Sequence, residues 1–314
     1  MTAAPGYTVD QLVTKFQNRY LNPNSNALFQ AADIISLMDD CLRETIIPVI
    51  TSVREEFWVK TYDQPVTGAS SYTIPSNAAG AVLRDVVFVD TAGNEIDLQQ
   101  LSPAHIKATF PFGYQLPLYT FGYYWKNDQI VPYPQQTQNA LGYTLRMKPI
   151  RRPNDLTSSA NCGQITVIAG NVLTLTNVDP SWTATTTFDI IQNFPQFTSI
   201  VDGATITGTP SGSNITLTTV PAGLAVGMWV CPTTTSCIPQ IPYEGFGLLI
   251  EDGICKMCAS LGDSQGFGLH EKIRDKMRQD FIDLITPRSQ LGTKKIVNRN
   301  NPMSFWNFGS PFIR

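Results

Sequence analysis

The chain has few residues with which to do chemistry. Histidine occurs twice, at His105 and His270, so a Ser–His–Asp triad or a multi-histidine metal site would have to be built on one of them. Neither stands in a recognisable context, and His270 beside Glu271, at the start of a helix, reads as a surface residue. Cys255-Lys-Met-Cys258 has CxxC spacing. It falls inside a helical pattern rather than at a helix N-terminus, so nothing lowers a thiol pKa there, and Cys258 lies on the apolar stripe. Cys231 and Cys237 could complete a four-sulfur zinc site with that pair, but their separation is unusual for zinc ligands. The six cysteines, 41, 162, 231, 237, 255 and 258, follow no framework spacing. In a reducing compartment they are expected to be free and buried. No metal and no cofactor is expected.

Gly262, Gly266 and Gly268 neither follow a strand nor precede a Gly-Lys-Ser/Thr step, so they read as a tight turn rather than a phosphate cradle. The acidic pairs Glu55-Glu56 and Glu251-Asp252 fall on helix faces and read as solvated or interfacial. A cell-wall hydrolase using Glu251 or Asp252 is the enzymatic alternative, and no catalytic residue is assigned. Arg84-Asp85 and Arg151-Arg152 read as surface charge, with contacts between subunits as the alternative. Lys272, Arg274, Lys276 and Arg278 mark a mixed-sign helix face that is solvated, meets another subunit or lines a DNA channel.

These residues are carried by a pair of helices over Ile238–Pro287. Phe246, Leu249, Ile250, Ile254, Met257, Cys258 and Leu261 recur at helical spacing, which predicts a helix over 243–261 with one buried face. Gly262 suits its C-cap. A second helix is expected from about Leu269, with Ile273, Met277, Phe281, Leu284 and Ile285 as its stripe and Pro287 as its stop. Two apolar stripes need further helices, and the other good helical patterns lie near the N-terminus. Thr8–Tyr20 opens with Thr8 and Gln11 as a capping box. A second helix starts near Phe29 and kinks or ends at Pro48.

Between them the pattern changes to strands. LRDVVFVD, the turn TAGNE and IDLQQL read as a hairpin, and YYWKNDQIVPYP as another turning at Asn127-Asp128. A short helix is expected after Ser102. Residues 153–237 are rich in Thr, Ser, Gly and Val, and GQITVIAGNVLTLTNV and ATITGTPSGSNITLTTV look like one hairpin theme used twice. No Lys or Arg lies between Arg152 and Lys256. A module without cations cannot neutralise phosphates, so it should face away from nucleic acid. The last segment carries Arg288, Lys294, Lys295 and Arg299 without an acid, and Phe305, Trp306, Phe308 and Phe312 crowd its end. Such aromatics need a surface, so it reads as an extended docking arm.

The expected fold is therefore α+β: a helical bundle from N- and C-terminal helices, an inserted all-β barrel or sandwich module and an extended C-terminal arm. The expected units are 1–58 for the N-terminal helices, 59–152 for a β-rich segment, 153–237 for the β module, 238–287 for the helix pair and 288–314 for the arm. The net charge of −3 does not point to nucleic acid as a partner. No run resembles a signal peptide, and no apolar stretch approaches the ~20 residues of a membrane span, so no membrane partner is expected.

The order of elements resembles the head-to-tail adaptor, or connector, proteins of tailed bacteriophages. The resemblance covers Thr8–Ile106 and Ile238–Pro287. It rests on SYTIP, on the LRDVVFVD…GNEIDL hairpin and on the helix IPYEGFGLLIEDGICKMCASLGD that ends in LGD. It implies a non-enzymatic homo-oligomeric ring, a dodecamer of about twelve copies, assembled in the host cytoplasm and placed in the virion neck. It further implies that helices form the ring wall, that the arm docks on the portal protein, that the β parts face a tail or nozzle protein, and that double-stranded DNA passes without sequence-specific binding. The alternative is a tail-tube or receptor-binding component that uses the β module.

Overall fold

The computed structural model describes residues 7–20, 29–102, 122–133, 142–193 and 197–286. The protein is α+β, with helices from both ends of the described chain packed together and mostly antiparallel sheets between them. Helix α1 (Val9–Arg19) buries Val9, Leu12, Val13 and Phe16, a three- and four-residue spacing that puts all four on one face. Thr8 holds the N-cap position, but its side chain makes no cap bond, so the expected box with Gln11 does not form. The Val9 N–H donates instead to the Cys237 carbonyl at 2.7 Å. The capping box belongs to α2 (Ala31–Cys41), between Gln30 and Asp33. The expected break at Pro48 is a π-helical turn, Leu42–Ile46, leading into α3 (Ile47–Val53). Proline sits in the first turn of α3, where its missing N–H is tolerated.

Helix α4 (Phe246–Leu261) is the hub. It is buried on nearly every side, as its almost continuous apolar sequence requires. Phe16 of α1 packs against Gly253, where a Cβ would lie 2.9 Å from the ring. Gly262 ends α4 in the left-handed region at φ 71°. The Asp263 carboxylate accepts from the Gly266 N–H at 2.8 Å and starts α5 (Ser264–Ile285). The second helix therefore begins well before Leu269, and Gly266 and Gly268 are helical. The expected glycine-rich turn is only Gly262-Asp263.

Strands β1 (Tyr62–Pro65), β8 (Thr144–Arg151), β3 (Ala78–Val89) and β4 (Glu95–Asp97) form one sheet in that order. Strands β2 (Tyr72–Thr73), β7 (Gln129–Tyr133), β6 (Gly122–Lys126) and β5 (Gln99–Gln100) form a second. The β6–β7 hairpin turns at Asn127-Asp128, with Asn127 at φ 54°. Val86, Phe88, Ile130, Leu145 and Met147 pack between the two sheets.

The chain enters the next unit at β9 (Asp155–Leu156) and leaves it at β16 (Thr235–Ser236), which pair in parallel. Between them lie β10 (Gly163–Ala169), β11 (Val172–Leu175), β12 (Thr187–Ile191), β13 (Ser199–Thr205), β14 (Asn214–Thr216) and β15 (Trp229–Pro232). They form one six-stranded sheet, β13-β12-β15-β10-β11-β14. The β10–β11 hairpin turns at Gly170-Asn171. The ladder is open at β13 and β14, so of the barrel or sandwich expected from the sequence no closed barrel is formed. The two edges meet only at an Ile206–Leu217 bridge, where the Thr207 N–H donates to the Thr216 carbonyl at 2.7 Å. Ile165, Leu173, Phe188, Ile190, Ile215 and Val230 fill this unit's own core. The helix expected after Ser102, with His105, and the segment beyond Thr286 lie outside the described residues.

Candidate functional site: the helix pair and the β-module root

Helix α5 buries only Phe281 and Ile285. Leu269, Ile273 and Leu284 are 61, 41 and 63% exposed. With Lys276 and Asp280 they recur at spacings of three and four, so they form one outward stripe. Ile273 and Leu284 were expected on the buried stripe; α5 instead turns Phe281, Ile285 and Arg274 inwards. The four cations named from the sequence do not share a face, because positions two apart lie ~200° apart on a helix. Lys272, Lys276 and Arg278 are exposed, while Arg274 is half-buried. The Arg274 guanidinium lies 3.8 Å from Asp252 and 2.9 Å from Asp275.

The acidic pair on α4 is not solvated. Glu251 and Asp252 are both buried. Arg19 donates to Glu251 Oε2 at 3.1 Å, and His270 Nδ1 lies 2.6 Å from Glu251 Oε1. One carboxylate thus ties α1, α4 and α5 together, and His270 is a half-buried partner of Glu251 rather than a free surface residue. Glu251 and Asp252, the carboxylates named for the hydrolase alternative, are each 3% exposed. Asp252 lies against Cys41; burial, first, and that carboxylate push the Cys41 thiol well above the usual range.

A second polar cluster sits at the root of the β module. Arg151 is buried, 2.8 Å from Asp202 and 3.9 Å from Asp189. Lys60 donates to Asp202 at 2.7 Å, and Asn154 donates to Asp189 at 2.7 Å. These residues line a cleft of about 450 Å³ between the module and the first sheet. Burial raises the Asp189 pKa above the usual carboxylate range, against the N–H groups of Gly203 and Thr234 that bond the ionised form. Arg151 is therefore not surface charge. Arg84 is exposed, and Asp85, with a side chain 40% exposed, pairs with Lys148 at 3.1 Å, so this step is surface charge as expected.

All six cysteines are free and buried. Cys231 and Cys237 do not meet the α4 pair. Their partner is Cys162, and the three sulfurs lie within 4.8 Å of one another. Among the described residues these are the atoms arranged to hold a metal. Nothing in the sequence marks Cys162 as their partner, because it stands far from both along the chain. The arm residues Arg288, Lys294, Lys295, Arg299, Phe305, Trp306, Phe308 and Phe312 lie outside the described residues. No described helix is long and apolar enough to cross a membrane. No family model matches the chain, and no curated protein matches it.

Proposed function

We propose that the chain is a structural protein of a tailed-bacteriophage virion: a head-to-tail adaptor that assembles into a ring joining the portal to the tail around the DNA exit channel. In this reading α1, α2, α4 and α5 are a bundle drawn from both ends of the chain, residues 153–237 are an inserted β module, and the segment beyond Pro287 is the portal-docking arm. The observation that carries the reading is the outer face of α5. A helix of 22 residues that buries two side chains and exposes Leu269, Ile273 and Leu284 among charges of both signs suits a neighbouring copy of the same chain. Charges of both signs on one face can pair with those of a neighbouring copy, and a head-to-tail contact gives a ring when its rotation closes. A net charge of −3 suits a channel through which DNA slides, since each phosphate neutralised would add salt-dependent affinity.

Mass photometry of the purified chain, alone and with portal protein, tests the proposal. Rings of about twelve copies, formed alone or on the portal, are expected. A monomer or trimer indifferent to the portal would overturn the adaptor reading and turn attention to the β module as a receptor-binding part.

A further inference from the structure

Cys162 ends the short 3-10 turn before β10, Cys231 lies in β15, and Cys237 follows β16. They are distant in sequence, yet their sulfurs converge, with Cys231 and Cys237 3.9 Å apart and all three side chains fully buried. We infer that Cys162, Cys231 and Cys237 form a binding site for a thiophilic d10 cation, Zn²⁺ or Cu⁺, that ties together three segments of the β module at the root where it meets the helical core.

The sulfur separations are close to those a bound metal needs. Metal–thiolate bonds of ~2.3 Å place sulfurs ~3.8–4.0 Å apart, from tetrahedral to trigonal coordination. The Cys231–Cys237 separation already has that value, and the widest spacing allowed by the cluster, 4.8 Å, exceeds it by under about 1 Å. The surroundings are apolar: Leu156, Ile191, Phe197, Trp229 and Ile238 belong to the same buried cluster. Three polarisable thiols gathered there make only weak hydrogen bonds to one another. The hydrogen bond to Cys231 and the burial of the pair hold the Cys162 and Cys237 thiols above the usual range. At Cys231 burial opposes ionisation, while the hydrogen bonds from Cys162 and Cys237 favour it. Binding then forms three metal–sulfur bonds, releases the thiol protons to solvent and transfers no electron.

The site is also anchored to α1 at that root. The Cys237 carbonyl accepts the first N–H of α1. Asp10 of α1 accepts from the Ser159 N–H at 2.9 Å, in the turn that carries Cys162. Among the described residues no His, Asp or Glu joins the three sulfurs. Three-coordinate thiolate suits Cu⁺, whereas Zn²⁺ would draw a water into the fourth position.

The test uses the untagged full-length chain. Elemental analysis as purified is followed by separate titrations of the chelator-treated protein with Zn²⁺ and, under reductant, Cu⁺; Cd²⁺ serves as the spectroscopic probe. One ion per chain is expected, with a thiolate-to-metal charge-transfer band. Retention of Zn²⁺ alone or Cu⁺ alone assigns the ion. Cys231→Ser should abolish the band, and Cys255→Ser, on α4 and outside the trio, should keep it. Because a misfolded Cys231→Ser would also lose the band, X-ray absorption of the loaded wild type gives an independent count of three sulfur ligands. The inference is overturned by a wild type that takes up none of the three ions while all its thiols react after unfolding, by a disulfide within the trio, or by a band that survives in Cys231→Ser.

Discussion

Removing Arg19 tests whether the helical core is held through one buried carboxylate. Glu251 is 3% exposed and has two partners, Arg19 at 3.1 Å and His270 at 2.6 Å. The Arg19 side chain is 42% exposed, so Arg19→Ala strands no buried cation. It strips a charge-assisted hydrogen bond from a carboxylate that stays buried. Such bonds contribute ~1.5–3 kcal/mol, and solvent screening of the arginine reduces that here to about 1–2 kcal/mol. The described residues form three separate hydrophobic clusters, so the helices and the sheets need not unfold together. The readout is amide exchange in α4, which should quicken about 5–30-fold. Glu251→Leu removes the buried charge itself and frees Arg19 to solvent, a change that can be near neutral. In that background Arg19→Ala should have almost no effect, which gives a coupling of about 1–2 kcal/mol. Equal effects of Arg19→Ala in both backgrounds would refute the claim that Arg19 acts through Glu251.

Four further outcomes are expected. A Cβ at Gly163 would overlap the Asn177 carbonyl and lie 2.9 Å from Leu175, so Gly163→Ala should cost the β module about 3 kcal/mol while α4 exchange is unchanged. Asp39, whose pKa burial raises, binds protons more readily folded than unfolded; stability should therefore fall as pH rises from the ordinary carboxylate value through its raised value, and Asp39→Asn should remove that slope in urea midpoints. Leu269→Glu with Leu284→Glu should leave the fold within about 0.5 kcal/mol, while sedimentation shows the ring lost. Deleting Gly292–Arg314 should leave a folded chain that no longer binds portals, and continued assembly onto portals would discard the arm hypothesis.

The elements legible in the sequence are those whose information is local. Val9, Leu12, Val13 and Phe16 give α1 by spacing alone, and Gly170-Asn171 gives the β10–β11 hairpin by turn chemistry. The start of α5 was hidden because Gly266 and Gly268 suggest a loop. The Asp263 carboxylate on the Gly266 N–H overrides their poor propensity, and an Asp three residues before that glycine was the available signal. The burial of Glu251 was not legible, because the partner that makes it tolerable, Arg19, stands 232 residues away. The grouping of Lys272, Arg274, Lys276 and Arg278 on one face failed for a simpler reason, since a two-residue step reverses sides on a helix. The cysteine trio combines both difficulties: three distant positions, each of which alone looks like ordinary core.

The absence of Lys and Arg from residues 153–255 has a physical consequence at the root of the β module. Its acids are neutralised from outside: Asp155 by Arg43 of the π turn, Asp202 by Lys60 and Arg151. The module carries its own core around Phe188 and Val230, so its internal fold is local, but its seating is not. Ile191, Phe197, Trp229 and the three cysteines pack into the helical cluster rather than the module's own. A cut at residues 153 and 237, where composition changes, would therefore expose Asp202 without its cations, and an apolar floor without its helices. The boundary that matters energetically therefore runs through the module, between the residues that pack in its own core and those, such as Ile191, Phe197 and Trp229, that pack against the helices, and the root is held by that apolar packing and by the outside cations.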